Sequence, residues 1–512
     1  MKTLHRQLFN NKYYFIYFNF IIILFIIAVA VISSGGIRGS DQYWYLADVE
    51  SLMHGENKTN DLYSGLIMAD NSYLLIRPFI HNVLTLYLVL PFALIFGSYS
   101  GWILFNSISV LIAGLLILWT INRVTGNVLY GLYGLAIYLL NPLVLWQTSQ
   151  PLAEPSVTPF VAAILAICAS MPLNFKRLFT IIIILWLANM VRGVFLPALI
   201  VIPFVYLYIS YTKDNYKVLI GHFFLLIVII ISLLKLQLIL FGYSPFGIKD
   251  MLMNALPHGS NMDFYLFENP KSIIWSLVFF KFINNIRIQL WPGIDYAIFY
   301  VPYNIIALFL FYRIKNHNQL CLQVIAFTLI LLFIHIVTIL IHQNQFRYML
   351  IPFPALLVAA IIVFNENFNP PTFFLKRFLF VLSIGLFLLS LPFALRSRSE
   401  AQQDLLLRQQ IEQKISHVVR KTDRIISCYE PGYSIKAAYI LRPRVIIEFP
   451  SKGSSKYFYQ IISRTHPDWL LCNIDIMKRL FSEMKLSNPK IISELLLGNQ
   501  KYVLVSLSGL CD

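Results

Sequence analysis

The sequence predicts an all-α polytopic membrane domain followed by a small α/β domain. Three observations carry this. The chain is 58% hydrophobic and only 12% charged, with a mean hydropathy of +0.69. Apolar runs of span length recur from residue 14 to residue 396, a pattern of membrane proteins and not of soluble domains. From residue 397 onward polar residues return, and short β-type runs alternate with helical ones. The expected division is therefore 1–396 for the membrane domain and 397–512 for the second.

Apolar segments fall at 14–33, 79–97, 102–121, 128–147, 156–171, 178–191, 194–211, 218–241, 296–312, 319–341, 349–364 and 378–395. Lys2, Arg6 and Lys12 precede the first, and Ala28-Val29-Ala30 resembles a cleavage site. The run is nevertheless of span length, so it reads as an uncleaved anchor. The basic loops orient the rest. With the N-terminus inside, Arg123, Lys176 with Arg177, Lys213 with Lys217, Arg313 with Lys315, and Lys376 with Arg377 all fall on the cytoplasmic side only if 79–97 does not cross. That segment, with His81 and Asn82, is expected to lie at the interface. About eleven spans and an extracytoplasmic C-terminal domain follow. The absence of a retention signal and the residue usage point to a bacterial cell membrane.

Composition also excludes functions. The formal charge of +16 lies largely in short loops, where orientation and anionic lipid explain it. No aromatic-plus-basic module suggests nucleic acid. The C-terminal domain has strand candidates Arg424–Tyr429, Val445–Phe449, Trp469–Cys472 and Tyr502–Leu507, and helix candidates near 402–419, 433–440, 455–465 and 474–484. No glycine-rich phosphate loop follows a strand, so nucleotide binding is not indicated. Of five cysteines, Cys168 and Cys321 fall in apolar runs, and Cys428, Cys472 and Cys511 in the polar part. With no CxxC or Cys/His cluster, a structural metal site is not expected. Cys428 and Cys472 end two strand candidates in an oxidising compartment and are a candidate disulfide.

The loops predicted outside carry the chemistry. Asp41 follows the first span and heads a helix in which Tyr45, Val49, Leu52 and Met53 share one apolar face. It stands where a lipid-borne substrate presents its head group, and its plain alternative is a helix cap. Glu154 opens a later span, where an acid also suits the helix dipole. A carboxylate at this depth is suited to act as general base for an acceptor hydroxyl or amine. Arg77, Arg192 and Arg347 lie at the same level. Arginine suits a phosphodiester and stabilises a departing phosphate, although arginines at span ends also snorkel to head groups. Tyr348, beside Arg347, has its own plain reading as an interfacial aromatic.

In order, these residues resemble the GT-C glycosyltransferases, in the family 39-like branch of protein O-mannosyltransferases and aminoarabinose transferases. The resemblance covers most of 14–395. It comprises Asp41 opening a helix that ends near Gly55, Arg77-Pro78 before a second helix ending at Phe96-Gly97, and Asn141-Pro142 leading to Glu154. Arg192 between two short spans and Arg347-Tyr348 running to Pro352 complete it. Phe79 stands where the family often has a second proline.

The resemblance implies a polyprenyl-phosphate-linked sugar as donor and a glycan, lipid or protein as acceptor. It assigns Asp41 as catalytic base and Arg77 to the donor phosphate. Arg192, Arg347 and Tyr348 are grouped with Arg77, and Glu154 is the second acid. Asp41 is followed by Gln42 and Glu154 has no DxD or DxE partner, so a divalent metal, which wants several oxygen ligands, is not expected. Two other readings compete with this one. A polymerase or ligase using lipid diphosphates tends to place its key residues in large later loops. A transporter should show internal repeats and ionisable residues at mid-span, whereas here they sit at span ends.

Overall fold

The computed structural model describes residues 11–36, 40–55, 66–69, 74–76, 83–170, 172–192, 195–210, 216–241, 275–291, 304–305, 319–341, 346–367, 372–420, 422–429, 445–450, 455–485, 490–497 and 500–507. The expected span at 296–312 and the expected helix at 433–440 lie outside these residues, apart from 304–305.

The chain enters through α1, Lys12–Ser33, whose N-cap Asn11 accepts from the Tyr13 amide. Helix α2, Ser40–Met53, follows. Two short strands come next, β1 at Leu66–Ala69 and β2 at Leu74–Ile76. Helix α3, Val83–Phe96, has 14 residues, about 21 Å of rise against the ~30 Å of a bilayer core. It folds back on α4, Ser98–Thr125, through Gly97 at φ +83. The two helices touch backbone to backbone. A Cβ added at Gly101 would lie 2.5 Å from the Ala93 nitrogen and the Phe92 carbonyl carbon.

Helix α5, Val128–Leu139, and α6, Pro142–Thr148, meet at an angle of 55°. Asn141 caps α6 by accepting from the Leu143 amide, and Pro142 sits at the first helical position, where its missing N–H costs nothing. The segment expected as one apolar span at 128–147 is thus broken, and the break turns the chain toward Glu154. Then come α7, Glu154–Ser170, α8, Phe175–Val191, α9, Leu196–Ser210, and α10, Tyr216–Phe241. They are followed by α11, Trp275–Leu290, α12, Gln319–Ile341, and a 3-10 turn, Phe346–Leu350. Helices α13, Phe353–Asn367, and α14, Thr372–Lys414, end the helical part.

Among the described residues, four helices are by themselves long and apolar enough to cross a membrane, within α1, α4, α10 and α14, and the α5–α6 pair makes a fifth if taken as one span. The chain is a multi-pass membrane protein. Shorter apolar helices fill the bundle between these. Tyr138, Leu145, Val161, Leu185 and Ile362 lie in one buried apolar cluster.

Helix α14 has 43 residues and runs unbroken through positions 396 and 397 into the C-terminal part. There the strands are β3, Arg424–Tyr429, β4, Val445–Pro450, β5, Trp469–Asn473, β6, Ile491–Leu497, and β7, Gln500–Ser506. Helices α15, Ser455–Thr465, and α16, Ile474–Glu483, accompany them. All four predicted strands form. The sheet has seven strands in the order β2-β1-β4-β3-β5-β7-β6. Two of them, β1 and β2, come from the loop between α2 and α3, and β6 was not anticipated either.

Alternate residues of each strand, Ile426 and Cys428, Leu470 and Cys472, Val503 and Val505, face a core shared with Phe458 and Phe481. Cys428 and Cys472 are not disulfide-bonded, so the expected bridge does not form. Both are buried in this apolar core, where reduced cysteine packs as a small hydrophobe.

Candidate active site

Glu154 is the centre of the site. Its side chain is fully buried, and its Oε1 lies 3.1 Å from Arg192 Nη2 and 3.7 Å from Arg347 Nε. The arginine side chains are 13% and 16% exposed, so both reach solvent while sharing one buried carboxylate. Among the described residues, two guanidiniums share this one carboxylate. Burial pulls Arg192 toward its neutral form. Glu154 first, then Tyr45 and Tyr348, outweigh this, so its pKa is raised and the guanidinium stays charged.

Tyr348 joins the arginines. Its hydroxyl accepts from Arg192 Nη2 at 3.2 Å and from Arg347 Nη2 at 3.4 Å. The two guanidinium carbons also stand 5.3 and 5.2 Å from its ring centroid, a cation–π arrangement that fixes both forks. The plain reading of Tyr348 as an interfacial aromatic does not hold, because the residue is buried within this cluster.

Each member is held by local structure. Glu154 sits in the first turn of α7, where the helix dipole favours an acid. Arg192 caps the end of α8, its backbone N–H donating to the Ala188 carbonyl at 2.8 Å. The neighbouring Val191 carbonyl accepts from Thr85 Oγ1 at 3.1 Å, tying α3 to the same corner. Arg347 and Tyr348 ride on the 3-10 turn, and Gln147 Nε2 anchors that turn by donating to the Arg347 carbonyl at 2.8 Å.

The loop before Glu154 is clasped by α4. Trp102 Nε1 donates to the Leu152 carbonyl at 3.1 Å, and Asn106 Nδ2 donates to the Gln150 carbonyl at 2.8 Å. Gln42 on α2 donates to the Gln150 side chain. A loop so fastened holds Glu154 in place without its own regular structure.

Helix α2 docks on this assembly through Tyr45. The Tyr45 hydroxyl accepts from Arg192 Nη1 at 3.0 Å, and its ring packs at 5.2 Å on Trp102. The apolar face expected to lie on the membrane meets protein instead. Tyr45 and Val49 are buried with Leu86, Val89, Ala93 and Trp102. Asp41 stands one helical turn before Tyr45 on the same helix.

The structure thus brings Glu154, Arg192, Arg347 and Tyr348 together and places the helix of Asp41 against them. Arg77 lies outside the described residues. Sequence reasoning missed Tyr45 as a polar partner, and also Gln147 and Asn106. The i to i+4 spacing of Asp41 and Tyr45 was the available signal, since it puts both on one helix face.

No family model matches the chain, and no curated protein sequence matches it. Solved structures do. ArnT from Cupriavidus metallidurans bound to undecaprenyl phosphate is similar with a TM-score of 0.58 and 12% identity, covering 97% of this chain and 98% of that one. The apo state of ArnT from the same organism gives a TM-score of 0.59 and 12% identity, covering 95% and 98%. At this identity the likeness is one of fold, and it extends over the membrane helices and the C-terminal domain alike. The fold anticipated from the order of Asp41, Glu154, Arg192 and Arg347 is therefore the one observed: this chain has the polytopic GT-C fold of ArnT.

Proposed function

We propose that the protein is an inverting glycosyltransferase of a bacterial cytoplasmic membrane, moving one sugar from a polyprenyl phosphate to an extracytoplasmic acceptor. The observation that carries this reading is the positive cluster of Arg192, Arg347 and Tyr348 around buried Glu154. It stands beside the helix of Asp41, in the fold of a protein solved with undecaprenyl phosphate bound.

In this reading Asp41 accepts the proton of an acceptor hydroxyl or amine. The freed oxygen or nitrogen attacks the anomeric carbon from the face opposite the phosphate. The bond from that carbon to the phosphate oxygen breaks, and polyprenyl phosphate leaves with the electron pair. Arg192 and Arg347 hold the donor phosphate and stabilise the charge it gains on leaving, with Arg77 as a further cation from the same sequence pattern. Glu154 holds the two guanidiniums together and oriented, since without a shared anion they would repel. Arginine supplies the positive charge that a divalent metal supplies elsewhere, and no metal is assigned to the reaction. The N-terminus is inside and the C-terminal domain outside, as the basic loops require.

The test is direct. Solubilised protein mixed with polyprenyl-phosphate sugars and candidate acceptors should release free polyprenyl phosphate. Lipid and glycan mass spectrometry of a deletion strain identifies sugar and acceptor through the species that disappears. No release from any monosaccharide donor, with turnover of a lipid diphosphate oligosaccharide instead, would replace this reading with a polymerase or ligase.

A further inference from the structure

The C-terminal sheet is completed by strands from elsewhere in the chain. Strand β1 runs parallel to β4, with Leu66 opposite Ile446, Ile67 opposite Ile447 and Met68 opposite Glu448. Strand β2 then pairs antiparallel with β1, with Ile67 opposite Ile76 and Ala69 opposite Leu74. Without this hairpin β4 would be the sheet edge. Its sequence, Val445-Ile446-Ile447-Glu448-Phe449-Pro450, is mostly apolar, and natural sheets do not leave such an edge open.

We propose that the C-terminal domain clamps the α2–α3 loop by strand addition and thereby positions the helices that frame the site. This gives the C-terminal domain a role in transfer.

The covalent distances make the clamp effective. Only six residues separate Ile76 from Val83, a reach of about 25 Å at full extension. Pairing of β2 therefore restricts where α3 begins. Two residues into α3, Thr85 donates to the Val191 carbonyl beside Arg192. The opposite end of the loop is α2, whose Tyr45 bonds Arg192 itself. Hairpin displacement would loosen both the Tyr45 contact to the Arg192 guanidinium and the Thr85 contact to the neighbouring Val191 backbone. The domain is also fixed from the membrane side. Helix α14 continues without a break beyond its apolar stretch, and Lys414 Nζ donates to the Glu494 carbonyl on β6 at 2.9 Å. The sheet is held at one edge by α14 and holds the loop at the other.

The pairing can be read without any activity. In native membranes, the full chain carrying Ile67→Cys with Ile447→Cys should form an intramolecular disulfide on mild oxidation, found as a linked peptide by mass spectrometry. Ile67→Cys with Leu495→Cys, which places the second thiol on the far-edge strand β6, should not. No link in the first pair, or equal yields in both, would overturn the proposal.

The positioning role rests on the proposed function and has its own arm. Ile67→Pro removes a strand N–H. It should lower polyprenyl phosphate release by about 10²-fold, the scale of a misplaced reacting group, with membrane insertion intact. The oxidised Ile67→Cys, Ile447→Cys protein, locked in the native pairing, should keep its transfer. Near-normal transfer by an inserted Ile67→Pro protein would overturn the positioning role. Failure of the unmodified protein to release polyprenyl phosphate would instead count against the glycosyltransferase reading, and the crosslink would still decide the pairing.

Discussion

Tyr45 and Arg192 meet through a 3.0 Å hydrogen bond, hydroxyl accepting from Nη1, although 147 positions separate them in the chain. This contact joins the helix of the candidate base to the cluster that would hold the donor phosphate. Tyr45→Phe keeps the ring on Trp102 and removes only the hydroxyl. Hydrogen bonds to charged groups are worth about 1.5–3 kcal/mol, so turnover should fall about ten- to hundred-fold with little change in protein yield. Steady-state release of polyprenyl phosphate checks this. Unchanged turnover would mean that α2 is placed by packing alone.

Glu154→Gln tests the shared carboxylate. It leaves two guanidiniums facing each other in a mostly buried setting. Breaking a buried pair costs about 3–5 kcal/mol, and solvent access to both arginines puts the expectation at the lower end. A clear drop in melting temperature in detergent should accompany loss of transfer. Glu154→Asp, which keeps the charge, should recover part of both.

Gly101→Ala tests the α3–α4 crossing. The added methyl would meet backbone atoms at 2.5 Å, which a side-chain rotation cannot relieve. Overpacking of this kind costs about 1–3 kcal/mol. The melting temperature should fall and transfer should weaken with it, because α3 carries Thr85 to the Arg192 corner. A protein of unchanged stability would show that this crossing is looser than described.

Topology is open to cysteine labelling. Single cysteines near 123, 176, 215, 314 and 376 should resist an impermeant reagent applied outside, while those at 40–70, 250–270 and in the C-terminal domain react. Labelling at 123 from outside would make 79–97 a span and invert the map that follows.

Much of this was legible in the sequence, for reasons that differ by element. Apolar segments read well because a helix in lipid must satisfy its own backbone, so α1, α4 and α10 announce themselves locally. Strands β3, β5 and β7 read well because a buried strand repeats its apolar residues at every second position. The polar set of Glu154, Arg192, Arg347 and Tyr348 was legible from its recurrence at span ends. The hairpin of β1 and β2 was not. Four and three residues are too few for a period, and their partner strand lies far along the chain. The break at Asn141-Pro142 was visible as a proline, but its 55° consequence depends on packing. Tyr45 was read for its ring, and its hydroxyl found a partner that only the tertiary fold supplies.

The central claim is that Asp41 is the base of a sugar transfer served by the arginine cluster. Asp41→Asn keeps size and polarity but cannot take a proton. Release of polyprenyl phosphate by the purified Asp41→Asn protein should fall by about 10²–10⁴-fold, the usual contribution of a general base, while donor binding is retained. Asparagine caps a helix about as well as aspartate, so a purely structural Asp41 predicts near-normal transfer. That result would contradict the account.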